Sequence, residues 1–191
     1  MTEKNLHSLI QCEDISTLDS QDLIDLFREE EKLVEHAPDG FCQIDPRNGE
    51  RVLYSTIRAS RPHDNRPDSQ KGDNPEEKCV ICRGNTTGIL DYASLSEGFT
   101  FLNKNLYPIL FPEEGRFPVP ESALDPEMHL RSQGIPAHGF HFLQWTSTYH
   151  DVDWHNLPPK DQEIVLSRLV RLEATLLREW PGTYVSIIKN G

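Results

Sequence analysis

Basic residues are scarce in this sequence: 19 Lys and Arg stand against 31 Asp and Glu, a net charge of −12 with a pI near 5.0. That balance argues against a general affinity for DNA or RNA, because such binding is carried by cations on phosphates. It does not exclude small anionic substrates, which a few local arginines can hold against a distant acidic surface. Long apolar runs are also missing. No stretch approaches the roughly 20 residues of a membrane helix, and Met1–Asn5 lacks the basic start and apolar stretch of a secretory signal. A cytoplasmic protein is the expectation. Cysteine is sparse, four in 191 residues, and in a cytosolic chain such cysteines are thiols or metal ligands more often than bridges. No internal repeat is visible. The length allows one domain with a real core, or one large domain with an appended helix.

What is present is a succession of short elements. Thr17–Glu35 carries Leu23, Leu26, Phe27 and Leu33 at helical spacing, with Asp19 or Ser20 able to cap its start. Phe41–Asp45 and Arg51–Ser55 flank the turn-forming Pro46-Arg47-Asn48-Gly49, the composition of a hairpin. Phe99–Leu106 and Gly139–Ser147 predict strands, and Asp161–Trp180 predicts a long amphipathic helix opened by Pro158-Pro159 and closed by Gly182. Thr183–Ile188 has the β-branched content of a central strand. Arg61–Glu77 and Phe111–Gly134 read as irregular, proline-broken segments. This order predicts an α+β fold with a mainly antiparallel sheet covered by helices on one face. Residues 1–45 read as a helical extension and 46–191 as the domain proper. A strong strand that stops at Lys189-Asn190-Gly191 leads us to expect a domain incomplete at its C-terminus.

Three constellations carry chemistry. Cys79-Val80-Ile81-Cys82 places two thiols on one tight turn, able to reach a single tetrahedral zinc ion; two buried cysteines or a redox dithiol are the other readings. Two further ligands would be needed, and His129, His138, His141, His150 and His155 all lie downstream. Spacing alone does not choose among them. Arg58 and Arg61 follow a predicted strand, and arginine forks suit phosphate oxygens, although a solvated basic turn explains them equally. Asn103-Lys104-Asn105, at a predicted strand end, can present polar groups to a ribose or base or form an ordinary turn.

Taken in order, Arg58-x-x-Arg61-Pro62, Cys79-x-x-Cys82-x-Gly84-Asn85, Phe101-x-Asn103-Lys104, Gly139-x-His141 with His150-Asp151, and Tyr184-Val185-x-Ile187-x-Lys189-Asn190-Gly191 resemble the galactose-1-phosphate uridylyltransferases of the histidine-triad superfamily. The resemblance runs from about Arg51 to the end, leaving aside the stretch from Glu113 to Gly134. It implies a histidine-triad-like fold and a hexose-1-phosphate nucleotidylyltransferase of carbohydrate, in particular galactose, metabolism. A nucleotide sugar and a hexose 1-phosphate would be its substrates, and Zn²⁺ its metal. Nucleic acid and membrane partners are not implied; a homodimer is.

Residue by residue, the resemblance implies Cys79, Cys82 and His150 as zinc ligands. Arg58 and Arg61 would lie near the phosphates, Asn103 and Lys104 at the strand end that meets the nucleotide, and Asn190 beside the reacting phosphate. In that family a histidine of a His-x-His-x-Gln segment attacks the α-phosphorus, and a sugar phosphate then takes the nucleotide. That segment is expected beyond Gly191, so no catalytic residue is assigned within the chain. Lys104 stands where many uridylyltransferases have an acid, and Gln144-Trp145-Thr146-Ser147 replaces a more aliphatic strand. Base and sugar preference therefore stay open, and an adenylyl-transferring phosphorylase or a zinc-stabilised binding protein without catalysis are the alternatives.

Overall fold

The computed structural model describes residues 3–36, 38, 40–55, 79, 81–112 and 135–189. Among the described residues, two three-stranded antiparallel sheets organise the fold. The smaller contains β1 (Phe41–Ile44), β2 (Arg51–Tyr54) and the two-residue β5 (Ile135–Pro136), in the order β2-β1-β5. The larger contains β3 (Ile89–Ser94), β4 (Phe99–Lys104) and β6 (Phe142–Trp145), in the order β3-β4-β6. The expected hairpin is β1 and β2, with Ile44 opposite Arg51. Its turn uses Gly49 at φ 74°, a conformation glycine adopts without a Cβ penalty. An α+β class follows from these sheets and their helices.

The period of β4 sets the layers of the larger sheet, because successive side chains leave opposite faces. Leu102 joins Leu90 on one face, against Ile15, Leu23, Ile24, Phe27, Leu33, Leu172, Leu176 and Trp180. Phe101 and Ile89 face the other way, with Leu6 and Ile81. Both faces are therefore covered, where a single helical layer was expected. The second face is closed by α1 (Glu3–Leu9) through Leu6 and Leu9, and by the cysteine turn through Ile81 and Cys79.

The N-terminal residues belong to the first of these cores. The boundary expected at residue 45 falls inside the β1–β2 hairpin, and Ile15, Leu23, Phe27 and Leu33 are fully buried beneath the sheet. The expected helix over 17–35 is instead a 3-10 turn (Ile15–Thr17), α2 (Ser20–Arg28) and α3 (Glu31–Glu35). Asp19 and Asp22 form a reciprocal capping box at the start of α2. The chain leaves helical geometry at Glu30, φ −82° and ψ 94°. That break turns the Glu30 carboxylate inward, to 3.3 Å from the Lys104 ammonium.

The long helix, α4 (Pro159–Glu179), starts with Pro at its first turn, where the missing N–H costs nothing. Its buried face carries Val165, Arg168, Leu172, Thr175 and Leu176. The strand expected over 183–188 is not formed. Val185 packs against the helical core, but Tyr184 is 82% and Ile188 78% exposed. β-Branched composition supplies propensity, whereas a strand requires a partner ladder, and among the described residues none pairs with this segment.

Candidate metal centre

The turn that holds the cysteine pair begins at Cys79 and closes by Arg83 N–H donating to the Cys79 carbonyl at 3.1 Å and Gly84 N–H to that of Ile81 at 2.9 Å. Gly84, at φ 72°, reverses the chain there. One helical turn sets positions three apart on the same side, so the thiols of Cys79 and Cys82 share a direction while Ile81 is buried in the sheet face beneath. His150 comes from the other end of the sheet's sequence, in the loop after β6. That loop is anchored by Thr148, whose N–H donates to Phe99 O at 3.1 Å and whose hydroxyl accepts from Phe99 N–H at 3.3 Å. Gly98 is required beside it: at φ 70°, a Cβ there would lie 2.6 Å from the Thr148 hydroxyl.

The two loops meet at their ligand atoms. Cys82 Sγ and His150 Nδ1 are 3.6 Å apart, and one ligand atom each from Cys79, Cys82 and His150 lies within 4.8 Å of the others. All three residues are half-buried. Zn–S bonds of about 2.3 Å and Zn–N bonds of about 2.1 Å at tetrahedral angles put ligand atoms about 3.6–3.8 Å apart, so the Cys82–His150 separation is that of one edge of such a tetrahedron. The Cys79 thiol is held below its ordinary value: burial alone would raise it, and hydrogen bonds from the Cys82 backbone, His150, the Cys82 side chain and the Ile81 backbone outweigh that. A set of two thiolates and one imidazole can hold a divalent metal ion, and it joins segments 68 residues apart in sequence.

The expected substrate residues are distributed differently. Arg58, Arg61 and Asn190 lie outside the described residues, as does His129 among the expected ligand histidines. Asn103 and Lys104 are adjacent in β4 and so leave opposite faces of the sheet. Asn103, on the face of the cysteine turn, donates to Thr86 Oγ1 at 2.6 Å and Thr87 Oγ1 at 2.8 Å, and accepts from Trp145 Nε1 at 3.1 Å. Lys104 points into the helical face and is 0% exposed. Its ammonium donates to Gln11 Oε1 at 2.6 Å and Leu26 O at 2.9 Å and pairs with Glu30. Burial pushes that ammonium below the ordinary lysine value, against the opposing pull of Glu30. To touch a nucleotide, either side chain would have to leave these partners.

His141 also has an internal position. Its Nδ1 accepts from Ile109 N–H at 3.0 Å, its Nε2 lies 3.1 Å from Asn105 Nδ2, and its carbonyl accepts from Asn105 N–H at 2.9 Å. His155 is exposed.

Sequence reasoning missed a second polar cluster. Asp91 in β3 is 0% exposed and takes the guanidinium of Arg168 from α4 together with Ile15 N–H. Asp14 accepts from Arg171 and lies 3.5 Å from Arg168. The signal was an acid inside the apolar run Ile89-Leu90-Asp91-Tyr92 and an arginine in phase with Val165 and Leu172. Comparison with family models, with curated proteins and with solved structures finds no match.

Proposed function

We propose that the cluster of Cys79, Cys82 and His150 binds Zn²⁺, and that the chain provides the metal- and substrate-binding part of a hexose-1-phosphate nucleotidylyltransferase with a histidine-triad-like domain. The observation that carries the reading is the meeting of the cysteine pair with His150, out of five downstream histidines, at 3.6 Å. Two thiolates and an imidazole favour zinc over the harder magnesium or calcium ions, which prefer oxygen. The metal would fasten the turn before β3 to the loop after β6, and so hold one end of the sheet. The reaction class comes from the order of the sequence motifs, with a nucleotide sugar and a hexose 1-phosphate as substrates. Cytoplasmic location, the histidine-triad-like topology and a homodimer belong to the same reading.

A second reading is a zinc-stabilised protein that binds a nucleotide or sugar phosphate without transferring it. It is favoured by the His141 ring, whose two nitrogens meet Ile109 N–H and the Asn105 carboxamide inside the fold rather than a reacting phosphate. The zinc common to both readings is tested first, and nucleotide transfer then separates them. Elemental analysis of the chain purified under reducing conditions should find one zinc per chain, and Cys82→Ser should weaken zinc binding by more than about 100-fold, since losing outer partners of metal ligands already costs about 10–100-fold. Transfer of labelled nucleotide from a nucleotide sugar to a hexose 1-phosphate supports the enzyme; calorimetric binding without transfer supports the second reading; neither binding nor transfer overturns both.

A further inference from the structure

The helical turn that aligns Cys79 with Cys82 does more than present two ligands. Residues three apart on such a turn have Cα atoms about 5 Å apart, inside the ~4.4–6.8 Å span that a disulfide bridges. Both cysteines are half-buried and not sealed in the core, so a small peroxide can reach them. Cys12 and Cys42 stand on other segments, Cys12 against Asp14 O and Cys42 in β1.

We propose that Cys79 and Cys82 form an oxidation site at which a hydroperoxide closes a disulfide and thereby releases the bound metal. The inference rests on the metal reading above. In the first step one cysteine thiolate attacks a peroxide oxygen; the O–O bond breaks, the alkoxide leaves and takes a proton, and the sulfur becomes a sulfenic acid. In the second, the other thiolate attacks that sulfur, the S–O bond breaks, and hydroxide leaves and takes a proton as water. Two thiolates, one hydroperoxide and two protons give one disulfide, one alcohol and one water. The sulfurs lose the two electrons that the peroxide gains.

Metal and disulfide exclude each other because a thiolate is the ligand and a disulfide sulfur carries no such charge. Of the three residues only His150 would keep a metal-binding atom, which is too few to hold the ion. Oxidation therefore unties the loop carrying His150 from the turn carrying the cysteines. The β3-β4-β6 ladder involves neither loop, and the register from Ile89 to Trp145 remains. The site would couple peroxide to metal content and to the arrangement of one sheet end, without unfolding the chain.

The test uses the full chain loaded with zinc and titrated with hydrogen peroxide, reading free zinc with a colorimetric chelator and the protein by intact and peptide mass. The expected result is one zinc released per chain, a loss of two hydrogens mapped to a Cys79–Cys82 disulfide, and recovery of zinc binding after a dithiol. A Cys12→Ser/Cys42→Ser variant should behave as the parent. Zinc retained while peroxide is consumed, release accompanied only by sulfinic acid, or a disulfide elsewhere in the chain would each overturn the inference. A chain that closes the Cys79–Cys82 disulfide but binds no zinc before oxidation would sink the metal reading, and with it the release, while keeping the oxidation site.

Discussion

The guanidinium of Arg168 forks onto the carboxylate of Asp91, Nε donating to one oxygen at 2.5 Å and a terminal nitrogen to the other. The same carboxylate accepts from the backbone N–H of Ile15 at 3.1 Å. One buried acid thus joins the N-terminal turn, the central sheet and the long helix. Apolar packing would tolerate small shifts of these three segments; a bidentate ion pair with a third hydrogen bond does not. This explains how α4 and the Ile15 turn keep one orientation over the sheet.

Arg168→Met should cost about 3–5 kcal/mol, because it leaves the Asp91 charge buried without its partner. Arg168→Met combined with Asp91→Leu should recover much of that loss, since a buried pair replaced by apolar groups is often neutral. Urea unfolding of the three proteins checks this. A cost below about 1 kcal/mol for Arg168→Met would show that the pair is solvated.

Asp14 offers a pH-dependent counterpart. Burial raises its carboxyl, but hydrogen bonds from the Ser16 hydroxyl and backbone, then the charges of Arg168 and Arg171, leave it below the ordinary aspartate value. An acid depressed in the folded state contributes stability above its unfolded value, about 3.9, and loses it as pH falls through the folded one. The stability difference between the parent chain and Asp14→Asn should therefore be constant from pH 7 to 5 and shrink below about pH 4. A difference unchanged down to pH 2 would contradict this.

How much of this arrangement can be read from the sequence depends on the range of the interaction. The β1–β2 hairpin is legible because Asn48-Gly49 sets its turn locally, and α4 because Val165, Leu172 and Leu176 recur on a single period. The Cys79–Cys82 turn is legible too, but spacing does not choose His150 over His141 or His155; the motif resemblance named it, and in the fold Thr148, held by the first residue of β4, carries its loop. The break at Glu30 accompanies its ion pair with Lys104, 74 positions away along the chain, a partner that local propensity does not announce. The tail after Gly182 shows the converse. Its β-branched residues have strand propensity, but without a paired neighbour among the described residues Tyr184 and Ile188 remain in solvent.

Lys104 and Glu30 should reveal themselves through alkaline pH. Burial lowers the lysine from its ordinary 10.5 in the folded state, so between the folded value and about 10.5 the unfolded chain binds more protons. Stability should then rise with pH across that window, by up to about 1.4 kcal/mol per pH unit for one proton. The parent chain should show this slope and Lys104→Met should not. At neutral pH Lys104→Met alone should destabilise, and added Glu30→Gln should restore most of the loss. Parallel curves for parent and variant would mean that Lys104 is charged and solvated in the fold.

Gly88 tests the same buried cluster from the backbone. A Cβ at this position would lie 2.0 Å from Gln11 Oε1 and 2.1 Å from its Cδ, so the Gln11 carboxamide reaches Lys104 by lying directly over the glycine. The clash is with the end of a flexible side chain, and Gly88 has no positive φ that would strain an alanine. Gly88→Ala should therefore act by displacing Gln11, leaving the Lys104 ammonium without its shortest partner and costing about 1–3 kcal/mol. Gln11→Ala removes that partner in advance. In the double variant the added cost of Gly88→Ala should fall below about 0.5 kcal/mol, a coupling characteristic of residues in contact. Additive losses would instead locate the damage in the Gly88 backbone, whose N–H lies 3.4 Å from the Glu30 carboxylate, and would separate the two routes by which the N-terminal segment is held to the sheet.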